Sequence, residues 1–150
     1  MLLAPLALAA DATWTGPNGA MLRLPAVPSP GAGQEQLAIL FWPPDGGFSP
    51  NVNVIRQAFA GSLADWWSIS ESQFRTMGVT VVSRKDTKVG SRPALRVEYA
   101  GFANGFDLHF DALAIADAGA VWLATCTAPN PTWSTWAPRC KQALDSFTVP

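Results

Sequence analysis

The sequence has little charge and very few residues with acid–base chemistry near neutral pH. Charged residues make up 14% of the 150 residues, against a usual share of about 25%, so a disordered or acidic solvating chain is not expected. Ten Lys and Arg face eleven Asp and Glu, which gives a net charge of −1 with no basic run for a row of phosphates. We therefore expect no nucleic-acid partner.

The single histidine, His109, narrows the classes of enzyme that the chain could represent. One histidine cannot form a two-histidine zinc site or the HExxH motif of metalloproteases. No serine stands in a GxSxG context, so a serine hydrolase is not expected either. The prediction is a protein that is not an enzyme and that needs no cofactor.

The first ten residues indicate the cellular compartment of the protein. Residues 1–10 form an apolar run that ends in small residues, and Ala7-Leu8-Ala9 has the spacing that signal peptidase accepts. The run is far shorter than the roughly 20 residues needed to span a bilayer. We interpret it as a signal-peptide remnant of an extracytoplasmic protein, periplasmic or secreted, and the alternative is a disordered extension of a cytosolic domain.

Two cysteines, Cys126 and Cys140, fit an exported protein. An even number of cysteines in an oxidising compartment usually means a disulfide, and closing a loop of about 15 residues would stabilise the fold by about 3 kcal/mol. The alternative is two buried free thiols, because cysteine packs well as a small apolar residue.

Alternating apolar and polar residues predict several strands and two helices. Ser62 is a good N-cap and Gly78 a good stop for a first helix, whose apolar stripe runs through Leu63, Trp66/Trp67, Ser70, Phe74 and Met77. A second helix is predicted over Trp133–Phe147, kinked at Pro138 or starting there. Strands are expected at Met21–Pro25 (a first edge strand), Leu37–Trp42 (buried on both faces), Asn51–Ile55, Val79–Val82, Leu95–Tyr99, Phe106–Asp111 and Ala120–Thr127. The fold class is α+β, an antiparallel β-sheet with α-helices packed on it.

Four segments in order resemble the PsbP-like fold, which includes the extrinsic PsbP subunit of photosystem II, a nuclear-transport cofactor family and many small bacterial domains. The segments are Phe48–Val54, Ser62–Asp65, Gly90–Tyr99 with its G-x-P-A-like turn, and Thr125–Pro129 followed by Leu144–Phe147. The resemblance covers residues 20–150 and implies one domain, an α/β/α sandwich.

The resemblance carries no catalytic motif, and fold alone is a poor guide to function. It implies a non-enzymatic accessory or adaptor domain that binds a protein partner, expected here to be a monomer. The alternative is a small-ligand or metal-binding module. A further alternative, implied by a related bacterial group, is a chaperone for apolar segments of secreted effectors, although an export signal speaks against a cytosolic chaperone.

Asp107, His109 and Asp111 form a candidate metal site. Period-two spacing points all three side chains from one face of a strand, and carboxylate with imidazole suits Zn, Mn or Cu. Successive ligands would lie about 6.6 Å apart, so another strand would have to contribute. The competing interpretation is the solvated face of a half-buried strand.

Trp66 and Trp67 form a candidate partner-binding surface. The sequence contains seven tryptophans, and neighbours on a helix are about 100° apart, so both should not face the sheet. One of the two is expected at the rim, where an exposed aromatic ring could bind a partner. The alternative is that both fill the core between sheet and helix.

Overall fold

The sheet is antiparallel throughout, and one helix packs on each of its faces. The computed structural model describes residues 12–15, 21–24 and 34–149. The strands are β1 (Ala12–Thr15), β2 (Met21–Leu24), β3 (Gln34–Phe41), β4 (Asn51–Ala58), β5 (Thr80–Val89), β6 (Arg92–Ala103), β7 (Phe106–Asp117) and β8 (Ala120–Pro129). The helices are α1 (Leu63–Met77) and α2 (Trp133–Asp145), the latter preceded by a 3-10 turn at Asn130–Thr132.

The strand order is β1-β2-β3-β4-β8-β7-β6-β5, with every neighbouring pair antiparallel. The chain therefore runs from the central strand β4 through α1 to the far strand β5 and returns by hairpins to β8. The α+β class predicted from the sequence is confirmed.

Two strand predictions need correction. The strand starting at Met21 is not at the edge of the described sheet, because β1 pairs on its outer side. The apolar run Leu37–Trp42 is not buried on both faces: Ile39 and Trp42 are buried while the residues between them are only half-buried. Strand β3 is only partly buried because it lies outside β4, in the half of the sheet that α1 and α2 contact least.

Local signals set both ends of α1, as the sequence predicts. The Ser62 hydroxyl accepts from the Asp65 backbone N–H at 3.1 Å, and the Asp65 carboxylate accepts from the Ser62 N–H at 3.0 Å. This is a capping box, and an N-cap of this kind contributes about 1 kcal/mol. Gly78 ends the helix in the left-handed conformation, at φ 70°.

The helices cover opposite faces of the sheet. Ala94 packs in the cluster that contains α2, whereas its neighbour Leu95 packs in the cluster that contains α1. Successive residues of a strand point to opposite faces, so the architecture is the expected α/β/α sandwich. The helix α2 runs unbroken through the exposed Pro138 and does not start there, and it buries Trp136, Cys140 and Leu144.

Candidate functional site

The face of the sheet under α2 carries Asp107, His109 and Asp111. The three residues alternate along β7, as predicted, but His109 is 6% exposed and Asp111 is 4% exposed. The interpretation as a solvated strand face is therefore wrong for these two residues. The last segment of the chain, which follows β8, folds back over this face and takes their side chains out of water.

Asp111 is held in a two-pronged ion pair. Arg96 of β6 donates Nε to Asp111 Oδ1 at 2.5 Å and Nη2 to Oδ2 at 2.6 Å. Its Nη1 also reaches Asp145 Oδ1 at the end of α2, at 3.3 Å. Burial lowers the pKa of Arg96, but hydrogen bonds and charge attraction from the two carboxylates outweigh it and raise the pKa above its usual value. Both carboxylate oxygens of Asp111 are thus bound by Arg96.

His109 is held at both ring nitrogens. Nε2 lies 3.1 Å from Glu98 Oε2 of β6, and Nδ1 lies 3.2 Å from Asn130 Oδ1 in the turn before α2. The ring stacks on Trp133, with ring centres 4.0 Å apart and planes 16° apart. The Asn130 amide nitrogen in turn donates to Asp107 Oδ2 at 3.3 Å. We call Glu98, Asp107, His109, Asn130 and Trp133 the histidine cluster.

The three predicted metal ligands do not converge on one point. Asp107 and His109 are joined only through Asn130, and Asp111 faces Arg96. Within residues 12–15, 21–24 and 34–149, no group of three or more His, Cys, Asp or Glu side chains is placed to hold a metal ion. The histidine cluster therefore works as a hydrogen-bonding unit that connects strands β6 and β7 to α2.

Trp66 and Trp67 are both buried, at 5% and 8% exposure, so the expectation that one lies at the rim is wrong. Trp66 donates its indole N–H to Gln57 Oε1 of β4 at 3.2 Å, and Trp67 packs edge-on against Phe74 with Arg84 of β5 over its ring. The buried stripe of a helix is wide enough for two neighbouring residues to lie on its two flanks. Neither ring offers a partner an open face.

Two further anchors of α2 were not predicted from the sequence. Asp45, in the turn after β3, accepts from Thr132 Oγ1 at 2.6 Å and from Trp136 Nε1 at 2.7 Å. These hydrogen bonds hold the pKa of Asp45 below its usual value of 3.8. The second anchor, the Arg96–Asp145 contact, ties down the other end of the helix. No local pattern signals either contact, because the partners lie 87, 91 and 49 residues apart.

Cys126 of β8 and Cys140 of α2 form a disulfide. Both cysteines are fully buried and lie in the core between α2 and the sheet. The covalent bond therefore attaches the middle of α2 to strand β8.

One large apolar side chain stands out on the surface. Phe102 is 79% exposed, more than Ile69, Met77 or Val82. It lies near the end of β6, directly opposite Asp107 in β7. In the part of the chain that the structure describes, no helix has the length and apolar character needed to cross a bilayer.

The strand order and the two helix layers define a class of protein, the α/β/α sandwiches with one antiparallel sheet. No protein-family model matches the chain, and no curated protein matches its sequence. Solved structures do match, and they show that the chain has the PsbP-like fold.

Three of these structures cover most or all of the chain. PA94 from Pseudomonas aeruginosa, a protein of unknown function with a suggested regulatory role, is 17% identical, with a TM-score of 0.64 over 95% of this chain and 99% of its own. Cyanobacterial PsbP from Synechocystis sp. PCC 6803 is 14% identical, with a TM-score of 0.60 over 99% and 97%. LpqN, involved in cell envelope biogenesis of Mycobacterium tuberculosis, is 11% identical, with a TM-score of 0.50 over 86% and 84%.

Proposed function

We propose that the protein is a non-enzymatic accessory domain of an extracytoplasmic compartment and that it binds a protein partner through the end of the β6–β7 hairpin. The observation that carries the proposal is the 79% exposure of Phe102 on a structured hairpin. An exposed aromatic ring on an ordered hairpin suits a contact with a partner, because aromatic residues are enriched in protein–protein interfaces and among their binding hot spots.

The hairpin turn holds the backbone of Phe102 in a regular strand. Asn104 and Gly105 both have positive φ, 52° and 83°, as the tight turn between two twisted strands requires. Strands β6 and β7 are paired up to Ala103 and Phe106 on either side of this turn. A partner would therefore meet Phe102 on a backbone that is already ordered, which lowers the entropy cost of binding.

The charge beside Phe102 indicates the kind of partner. Asp107 lies opposite it, and the hydrogen bond described for this carboxylate comes from the neutral Asn130 amide. Among the described residues, no Lys or Arg forms a salt bridge with Asp107. An apolar side chain next to a Lys or Arg on the partner would complement this pair.

A binding role also fits the state of the one histidine. A general base must have a free ring nitrogen within reach of its substrate, and both nitrogens of His109 are engaged with Glu98 and Asn130. The extracytoplasmic location is supported by the disulfide, since such bonds persist in oxidising compartments. The apolar segment 1–10 that also suggests export lies outside the described residues.

The test is affinity capture from the native envelope fraction with three forms of the protein: the wild type, Phe102→Ala and Ile69→Ala. Ile69 is a matched control, because it is 51% exposed and lies on α1, on the opposite side of the sandwich. We expect one partner to be captured by the wild type and by Ile69→Ala, and at least tenfold less by Phe102→Ala. Equal capture by all three folded forms would contradict the proposed surface.

A further inference from the structure

Strand β5 forms an open edge of the sheet. It pairs with β6 along one side, and none of the strands that the structure describes pairs with its other side. The strand has ten residues, whereas β1, at the opposite end of the described sheet, has four. Because the N–H and C=O groups of successive residues point to alternate sides of a strand, every second residue of β5 presents a donor and an acceptor along this edge.

The edge is accessible over most of its length. Eight of the ten residues of β5 are exposed, and only Val81 and Val89 are partly covered. The pairing with β6 is interrupted between Val81 and Ser83, where Val82 is an extra residue. From Ser83 to Val89 the pairing is regular, so this part of β5 is held in an extended conformation that another strand can follow.

The regular part of β5 carries an excess of positive charge. Arg84 is paired with Asp86 at 3.1 Å, but no carboxylate among the described residues forms a salt bridge with Lys85 or Lys88. Lys85 lies directly opposite Arg96 of β6, and like charges at opposed positions of a sheet repel each other. A carboxylate brought to the open side of Lys85 would relieve this repulsion.

We propose that β5 binds an extended, acidic segment of a partner protein, which adds to the sheet as a further strand. Main-chain hydrogen bonds along the edge supply affinity, and acidic side chains opposite Lys85 and Lys88 supply selectivity. The two lysines are three residues apart and therefore point to opposite faces of the sheet. The segment that fits this edge has two acidic residues separated by two others, one for each face.

A second copy of the chain fits the edge less well than an acidic partner. Each β5 carries three basic side chains and one acidic one, so two such edges repel each other, and lysines on edge strands commonly prevent this pairing. The inference goes beyond the hairpin surface proposed above, since it concerns another element and a contact through the main chain. Thr80 lies opposite Ala100, two residues before Phe102, so the edge begins beside that hairpin surface.

The first test is a titration of the full chain with a ten-residue peptide of threonine and valine that carries two glutamates three positions apart. We expect saturable binding, together with slower hydrogen exchange, measured by NMR, at the β5 amides that do not bond to β6. Absence of binding at about 1 mM peptide would overturn the proposal. Binding that leaves the exchange of these amides unchanged would also overturn it. Protection that grows with protein concentration in the absence of peptide would overturn it in favour of a second copy.

The second test removes the two lysine charges. Lys85→Gln/Lys88→Gln should bind the peptide about two- to thirtyfold more weakly, the loss expected for two exposed ion pairs. Arg75→Gln/Lys141→Gln is the matched control, because it removes the same charge from exposed positions on α1 and α2, and it should bind like the wild type. Equal weakening in both double variants would show an effect of net charge alone and refute the site.

A third measurement shows whether the lysines and glutamates contact each other. A peptide with glutamines in place of both glutamates should bind the wild type and Lys85→Gln/Lys88→Gln equally, as a double-mutant cycle requires for a direct pair. A preference of this neutral peptide for the wild type as large as that of the acidic peptide would refute the pairing. These titrations use purified components, so their outcome is independent of the capture experiment with Phe102→Ala.

Discussion

Breaking the bond between Cys126 and Cys140 should lower the free energy of unfolding by about 3 kcal/mol. The cysteines have a sequence separation of 14 and so close a loop of about 15 residues. For that length, the entropy removed from the unfolded chain is about 10 cal/mol/K, or about 3 kcal/mol at 25 °C. This is a large share of the roughly 5–15 kcal/mol that stabilises a typical domain.

The assay is equilibrium urea unfolding followed by tryptophan fluorescence, with oxidised and reduced protein compared at one pH. A slope of about 1–3 kcal/mol per molar urea turns 3 kcal/mol into a midpoint lowered by about 1–3 M. The double variant Cys126→Ala/Cys140→Ala is the control and should not respond to the reductant. Coinciding curves for the oxidised and reduced wild type would refute the loop-entropy reasoning.

Three further predictions concern single side chains. Leu144→Ala should cost about 2–5 kcal/mol in urea unfolding because the side chain is fully buried, whereas exposed Gln142→Ala should change little. The hydrogen bond from Thr132, and after it the one from Trp136, lowers the pKa of Asp45 below 3.8. The stability that ionised Asp45 contributes is therefore present above that pH and is lost as the pH falls. Asp45→Asn should therefore flatten the acid side of a melting-temperature profile, and an unchanged acid side would count against this. Tyr99→Phe should cost less than about 1 kcal/mol, because the buried Tyr99 hydroxyl makes no hydrogen bond of good geometry, although the Thr125 hydroxyl lies close enough to act on its pKa. A larger loss would show that the two hydroxyls are paired.

The helix α1 could be predicted from the sequence because its signals are local. Ser62, Asp65 and Gly78 act within one turn of the helix ends, and the apolar stripe identifies the buried face except at Met77, which is 47% exposed. The stripe could not show that both Trp66 and Trp67 are buried. That outcome depends on Gln57 and Arg84, which belong to strands on either side of the helix.

The candidate site could be predicted only in part, because its contacts join distant segments. The alternation of Asp107, His109 and Asp111 correctly placed them on one face of a strand. Which carboxylate meets Arg96 and which residue meets His109 depends on the pairing register of β6 with β7 and on the path of α2. Charged residues at period two on two successive strands would have been the available signal, since ion pairs form across such strands.

The polar anchors of α2 lie at its two ends, and its covalent and apolar anchors lie between them. Asp45 and the histidine cluster hold the start of the helix, Asp145 binds Arg96 at its end, and the disulfide at Cys140 lies in the buried core. Charged contacts at the ends retain some water, which reduces the cost of burying them.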